Sequence, residues 1–122
     1  MYQRLTLIGR LGNDPDMRYT NTGSAVCTMS VANDRKYKQG EEWKTETTWF
    51  RVTVWNKQAE TVSKYLKKGS LVLVEGYLRK GKAYQITKGE HQGEWDYSLE
   101  VTAERVKFLD SKSTESTDDY EF

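Results

Sequence analysis

The residues with the clearest chemical potential in this sequence are two tryptophans with an arginine between them, in the run TTWFRVTVW. If this run is a strand, its side chains alternate between two faces. Trp49, Arg51 and Trp55 then share one face, and Val52 and Val54 lie on the other. At about 3.3 Å per residue the two indoles are about 20 Å apart. The strand therefore presents two ring planes and a guanidinium group to one side.

Ring planes and guanidinium groups are suited to unpaired nucleic acid. A base stacked on an aromatic side chain contributes about 1–3 kcal/mol whatever its identity, and arginine neutralises backbone phosphates. A core-facing side of a strand has no use for an arginine between two tryptophans. The alternative is that one or both indoles pack under a loop or at a subunit contact. The pattern favours a surface that binds single strands without reading their sequence.

Aromatic residues lie beside basic residues in two further segments, residues 37–46 and 79–95. Both segments contain glycine and lysine and are too polar to form a core. We expect them to be hairpins that project from the fold and wrap a flexible polymer. Solvated hairpins without a binding role are the alternative.

Strand signals dominate the chain: short runs rich in Val, Leu, Thr and aromatic residues are separated by Gly, Asn and Asp turns. One helix is predicted at residues 57–67, with Asn56 as its N-cap and Gly69 beyond its end. Five strands with one short helix between the third and fourth is the order of the OB-fold, a Greek-key barrel that binds oligonucleotides or oligosaccharides. We therefore predict an all-β OB-fold with projecting hairpins. The strands are expected at residues 4–11, 25–36, 47–55, 71–78 and 97–108.

Charge is distributed unevenly along the 122 residues. The net charge is only +1, but residues 110–122 hold five acids and one lysine. Removing them from 18 acids and 19 bases leaves 13 acids and 18 bases, a net charge of +5. We expect residues 1–109 to form a basic OB-fold domain that binds single-stranded DNA, and residues 110–122 to be a short disordered acidic tail.

Catalysis, cofactors and membrane insertion have little support. His91 is the only histidine, and no second histidine or cysteine completes a metal site with it. Cys27 is expected to be a buried, inert thiol in a reducing compartment. No apolar run approaches the roughly 20 residues of a membrane span, and we expect no signal peptide because the first ten residues lack its apolar run. We predict a non-enzymatic, cytoplasmic, nucleoid-associated protein without cofactor or metal.

Two long stretches carry a specific resemblance, LTLIGRLGNDPDMRYTNTGSAV and TTWFRVTVWNKQAETVSKYLKKGSLVLVEGYLR. Their NDPxxRYTxxG turn, WFRVTVW strand and YLKKG helix end resemble the bacterial single-stranded DNA-binding proteins. The resemblance implies an OB-fold subunit, usually assembled as a homotetramer, that protects single strands in DNA replication, recombination and repair.

The resemblance also implies roles for individual residues. One position that is tryptophan in the family is tyrosine here, and one that is usually phenylalanine is Trp55. Trp43 and Trp95 have no clear counterpart, and they are either extra stacking platforms in the hairpins or part of the packing of the hairpins. The implied base-stacking residues are Tyr37, Trp49, Trp55 and Tyr84, and the implied phosphate contacts are Arg18, Arg51, Lys57, Lys68 and Arg79.

The last five residues, DDYEF, resemble the acidic C-terminal tip with which this family recruits replication and repair proteins. A short acidic segment with a terminal aromatic suits a basic pocket and an apolar slot on a partner. The tip lacks the family's usual proline, and its linker is short. A merely solubilising tail is the alternative. The implied partner-binding residues are Asp118, Asp119, Tyr120, Glu121 and Phe122.

Two other functions on the same fold remain open. One is a replication-restart or assembly factor that acts mainly through protein contacts, which predicts weak DNA affinity. The other is a binder of RNA or oligosaccharide, because the fold alone does not decide the ligand. The tryptophan and arginine face and the acidic tip both favour the DNA-coating protein over the assembly factor.

Overall fold

Alternation of buried and exposed side chains builds the long strands of this protein. In β3, for example, Cys27, Met29 and Val31 are buried, while the residues between them are partly exposed. The computed structural model describes residues 1–110. Its elements are β1 Leu5–Leu11, β2 Asp16–Tyr19, β3 Ala25–Gln39, β4 Glu42–Trp55, α1 Asn56–Tyr65, β5 Leu71–Arg79, β6 Ala83–Gln85, β7 Trp95–Tyr97 and β8 Leu99–Phe108.

Five of these strands close into a barrel. The sheet has the order β1-β5-β8-β4-β3-β2, and an additional pairing of β1 with β3 closes it. Closure requires a residue without a side chain in β1, because a Cβ on Gly9 would lie 2.2 Å from the carbonyl oxygen of Ala32. The barrel strands β1, β3, β4, β5 and β8 correspond to the five predicted strands. The predicted OB-fold is therefore confirmed, with its helix between β4 and β5, the third and fourth strands of the barrel.

The start of the helix differs from the prediction. Asn56 is the first helical residue rather than the N-cap, and Trp55, which precedes it, makes no side-chain capping hydrogen bond. Strand β4 runs directly into the helix, so the change of direction occurs at Asn56, which has a φ of +61°. Asparagine tolerates this left-handed conformation better than most residues. The helix buries Ala59 and Val62 in the core, which covers one end of the barrel.

Strands β3 and β4 continue beyond the barrel as a two-stranded arm, which we define as residues 33–48. Their pairing extends from Val26 opposite Trp55 to Gln39 opposite Glu42. Within residues 1–110, β3 from residue 33 onward and β4 up to residue 49 pair only with each other. A second hairpin is formed by the short strands β6 and β7. Both polar segments are therefore hairpins, as predicted.

The short strand β2 was not predicted. It pairs with β3 from Asp16 opposite Thr28 to Tyr19 opposite Ala25. Its sequence, DMRY, has no alternation of apolar residues, and only Met17 packs against the core. An edge strand held mainly by backbone hydrogen bonds leaves little trace in the sequence.

The core consists mostly of aliphatic side chains from the inner faces of the barrel strands. Cys27 lies within it and is completely buried. This burial, together with the nearby charge of Asp16, raises the pKa of the Cys27 thiol to about 11. The predicted burial of this cysteine is confirmed.

Candidate nucleic-acid interface

The outward side of β4 carries the two tryptophans and the arginine. Val52 and Val54 are completely buried, whereas Trp49 is 53% exposed and Trp55 is 37% exposed. Arg51 lies between the indoles and is also exposed. The predicted sorting of side chains by strand parity is therefore confirmed. The two indoles stay at the surface because the opposite side of the same strand is committed to the core.

The neighbouring strand β3 keeps the outward side of β4 accessible. Ala32 lies opposite Trp49, and Ser30 lies opposite Arg51. Side chains directly opposite in an antiparallel pair are close neighbours. Because these two are small, they do not cover the indole or the guanidinium group. The ladder thus leaves ring planes open to a ligand.

Strand β2 brings Arg18 into line with Trp55. Arg18 pairs with Val26, and Val26 pairs with Trp55 on its other side. The three residues therefore form one row across the sheet. The Nε of Arg18 donates a hydrogen bond to Asp16 Oδ2 at 3.1 Å, and most of the guanidinium group remains exposed. The unpredicted strand thus places a predicted phosphate contact beside a predicted stacking residue.

A second row crosses β4, β8 and β5. Arg51 is in register with Glu100 through the parallel pairing of β4 and β8, and Glu100 is in register with Arg79. Arg51 Nε lies 3.8 Å from Glu100 Oε1. A groove of about 180 Å³ beside this row is lined by Arg79 together with Lys80 and Lys82. Four cations thus surround one carboxylate, and the excess positive charge attracts phosphate.

The hairpin of β6 and β7 forms the opposite wall of a larger groove. This groove of about 440 Å³ has Trp49 and Arg51 on one side and Tyr84 and Tyr97 on the other. The hydroxyl group of Tyr84 donates a hydrogen bond to Asp96 Oδ2 at 3.2 Å. Desolvation and the nearby Asp96 carboxylate raise the pKa of Tyr84. The side chains of Trp49, Tyr84 and Tyr97 and the guanidinium group of Arg51 therefore line one cleft.

Gly12 sets the position of the Trp49 ring. A Cβ at Gly12 would lie 2.4 Å from Cζ3 of Trp49, so the indole rests directly against the glycine backbone. Gly12 is held in place because its N–H donates a hydrogen bond to the Ser30 carbonyl at 2.9 Å. The contact joins residues 37 positions apart, so no local pattern in the sequence could indicate it.

Tyr97 and Glu100 are two more residues of the site that sequence reasoning missed. The alternation in the last predicted strand could have indicated an exposed ring at Tyr97. The position of Glu100 beside Arg51 could not be inferred, because it depends on the parallel pairing of β4 with β8. Parallel pairs join segments distant in sequence and leave no local turn signal.

Three of the predicted residues lie apart from this face. Tyr37 is in the arm, opposite Lys44, on the side of the ladder that is continuous with the barrel interior. The guanidinium carbon of Arg35 lies 5.7 Å from its ring centroid. Lys57 is on α1, and Lys68 lies beyond the end of that helix, where its backbone N–H donates to Asp14 Oδ1 at 2.8 Å. The strand ladder therefore groups Arg18, Trp49, Arg51, Trp55 and Arg79, and the β6–β7 hairpin adds Tyr84.

Within residues 1–110, no group of three or more His, Cys, Asp or Glu side chains is arranged to hold a metal ion. His91 Nδ1 is instead in contact with Glu94 Oε2, in the turn between β6 and β7. In the same part of the chain, no helix is long and apolar enough to span a membrane.

Comparison with known proteins identifies the family. The model of the single-strand binding protein family matches residues 2–109. The chain belongs to the single-strand binding protein family. The match covers every strand described above, including those that carry the indoles and the groove.

Named family members are similar over most of this chain. It is 42% identical to the single-stranded DNA-binding protein of Bacillus cereus, over 93% of this chain and 63% of that protein. It is 37% identical to the corresponding protein of Treponema pallidum, over 88% of this chain and 57% of that protein. Single-stranded DNA-binding protein B of Bacillus subtilis is 36% identical, over 98% of this chain and 100% of its own length. The chain thus spans under two thirds of the first two relatives and the whole of the third. The predicted tail residues, Asp118 to Phe122, lie outside the described residues.

Proposed function

We propose that this chain binds single-stranded DNA without sequence specificity. Bases stack on Trp49, Trp55, Tyr84 and Tyr37, and phosphates are bound by basic side chains. The observation that carries the proposal is the exposed pair of indoles flanking Arg51 on the outer side of the barrel. The proposed phosphate contacts are Arg18, Arg51, Lys57, Lys68 and Arg79.

The chemistry of the face explains why binding would not depend on sequence. Every base has a π-face, so stacking on an indole gains about 1–3 kcal/mol for any base. The cations of the two cross-strand rows recognise the backbone, which is the same for every nucleotide. Trp49 and Arg51 line the same groove, and the ion pair of Arg51 with Glu100 leaves that groove open.

Fluorescence titration tests this proposal. Oligo-dT should quench the tryptophan emission in a saturable way, whereas duplex DNA of equal length should not, and binding should weaken as salt rises. Trp49→Ala and Trp55→Ala should each weaken binding by about 1–3 kcal/mol, measured by the anisotropy of a labelled oligonucleotide. Trp95→Ala removes an indole outside the proposed face and serves as the matched control.

Two results would contradict the proposal. If oligo-dT leaves both emission and anisotropy unchanged at low salt, the face does not bind DNA, and a replication-restart or assembly factor becomes the better account. If single-stranded RNA or an oligosaccharide competes more strongly than oligo-dT, the ligand class is wrong.

We further propose that residues 1–109 are the DNA-binding domain of a non-catalytic, cytoplasmic homotetramer that acts in replication, recombination and repair. Sedimentation should then give four times the subunit mass. Residues 110–122 would recruit replication and repair proteins through the acidic tip. Truncation after Asp110 should leave the affinity for oligo-dT intact, and a peptide of residues 110–122 should bind such proteins more tightly than its Phe122→Ala version.

A further inference from the structure

A third tryptophan lies on the same side of β4 as the two already described. Trp43 is six residues before Trp49, just as Trp49 is six residues before Trp55. The pairing of β3 with β4 runs without a register shift between them, so the strand alternation is preserved. At about 3.3 Å per residue, Trp43 is about 20 Å farther along the strand than Trp49.

Trp43 has no packing role that would account for it. Its side chain is 69% exposed, near the end of the arm where neither strand has a third neighbour. Within residues 1–110 it makes no ring contact and no side-chain hydrogen bond. An indole that buries so little surface contributes little to folding, and most of its surface is available to a ligand.

Basic residues lie on the same side of the arm. Lys38 is directly opposite Trp43, and Lys36 is opposite Thr45. Within the described residues neither lysine forms an ion pair. The neighbouring acid on this side, Asp34, is engaged by Thr47, whose hydroxyl donates to its Oδ1 at 2.7 Å. The end of the arm therefore repeats the composition of the barrel face, with an open ring beside unpaired cations.

We propose that Trp43, Lys36 and Lys38 form an additional stacking station for single-stranded DNA at the end of the arm. This inference rests on the proposed function and extends it: the DNA track continues past the barrel along the outer side of β4. Two-stranded ribbons twist strongly, so the track coils around the arm rather than following a straight line. A bound strand must be long enough to reach the station.

Single-tryptophan variants test the station directly. In the full-length chain, Trp49→Phe, Trp55→Phe and Trp95→Phe together keep the proposed stacking rings and leave Trp43 as the only indole. Saturating long oligo-dT should quench this emission, while an oligonucleotide of about 4 nucleotides should bind without quenching it fully. The Lys36→Gln/Lys38→Gln variant should make the negative slope of log K against log salt shallower by about 1.4 for long oligo-dT.

The matched control leaves only Trp95, through Trp43→Phe, Trp49→Phe and Trp55→Phe. Trp95 is equally exposed at 69%, but it lies on β7 opposite Gln85, with no lysine across from it. Its emission should change much less than that of Trp43.

Anisotropy of the labelled oligonucleotide separates failure of the station from failure of DNA binding. If long oligo-dT binds and the emission of Trp43 stays constant, the station is refuted and the proposed function stands. If no oligonucleotide binds, the proposed function fails, and the station with it. Emission that changes on dilution of the protein without DNA would show that another copy of the chain occupies the ring, which also refutes the station.

Discussion

The barrel face and the arm carry the same kinds of side chain, but the structure holds them differently. Between Trp49 and Trp55 the inward side of the strand carries completely buried residues such as Val52, and residues 50–53 are paired with a strand on each side. Behind Trp43 there is solvent, and its strand has one neighbour. The barrel therefore fixes the position of its rings through packing, whereas strand pairing in the arm fixes only the side of the ladder on which a ring lies. For a flexible polymer ligand, the barrel face would be a rigid binding surface and the arm an adaptable extension of it.

The largest expected contrast between the two regions is in thiol reactivity. Only the thiolate reacts, and the pKa of Cys27 is raised to about 11 from 9.0. At pH 8 its thiolate fraction is then about 100-fold below that of an unperturbed cysteine, so a thiol reagent should react with the folded protein at least about 100-fold more slowly. In a Cys27→Ala background, Thr45→Cys in the arm should react at the rate of a free thiol.

Equal rates at the two positions would contradict this contrast. They would show that the barrel opens on the timescale of the reaction, and that its rings are no more fixed than those of the arm. Repeating the measurement in denaturant should equalise the rates, because unfolding exposes both thiols.

Stability should also differ between barrel and arm. Val52→Ala removes buried methyl groups that contribute about 1.6 kcal/mol, and the resulting cavity adds to the loss, so we expect about 2–3 kcal/mol of destabilisation. Trp43→Ala removes a far larger side chain but should change the free energy of unfolding by less than about 0.5 kcal/mol. Chemical denaturation followed by circular dichroism measures both. A large loss of stability for Trp43→Ala would mean that the indole packs against other residues, contrary to its proposed role as an open stacking platform.

The same contrast explains how far the sequence could predict the site. The alternation of residue types predicted which side chains of β4 point outward, because Val52 and Val54 must face the core. The five barrel strands and the helix followed from similar patterns. In the arm both sides are solvated, so alternation alone did not indicate that Trp43 continues the row of Trp49. Where a strand has no core to face, its alternation cannot be assigned to one side or the other until the strand pairing is known.

Contacts between distant segments were also beyond the sequence. The contact between Gly12, just after β1, and Trp49 in β4 depends on how these two strands are placed in the closed barrel. Glu100 lies in the site because β8 pairs in parallel with β4. Asn56 is helical because β4 continues without a break into α1. The assignment of Tyr37 to stacking rested on resemblance, and the ladder places it on the other side of the arm from Trp43. Its role remains a prediction.

Gly12 offers a way to loosen a barrel ring without removing it. In Gly12→Ala the new methyl group would lie 2.4 Å from the Trp49 ring, so the half-exposed indole must rotate away. Off-rotamer side chains cost about 0.5–1.5 kcal/mol, and we expect the affinity for oligo-dT to fall by about 1 kcal/mol. In the Trp49→Ala background the same substitution should have almost no effect on binding. Undiminished loss in that background would place the effect in the backbone rather than the ring.

The smallest expected effect concerns Glu100, which lies between Arg51 and Arg79 on the barrel face. Within the described residues, the outer side of the arm's end has no corresponding acid. The Glu100 carboxylate lies 3.8 Å from Nε of Arg51, so in the proposed complex it would compete with phosphate for that arginine. Glu100→Gln should therefore strengthen oligo-dT binding at low salt by up to about 1 kcal/mol, the usual limit for an exposed ion pair, and the gain should vanish at high salt. Glu60→Gln on the exposed side of α1 removes the same charge away from the face and should change the affinity less. If Glu100→Gln instead weakens binding, the carboxylate acts by holding Arg51 against the groove, and the fixed geometry of the barrel face matters more than its charge.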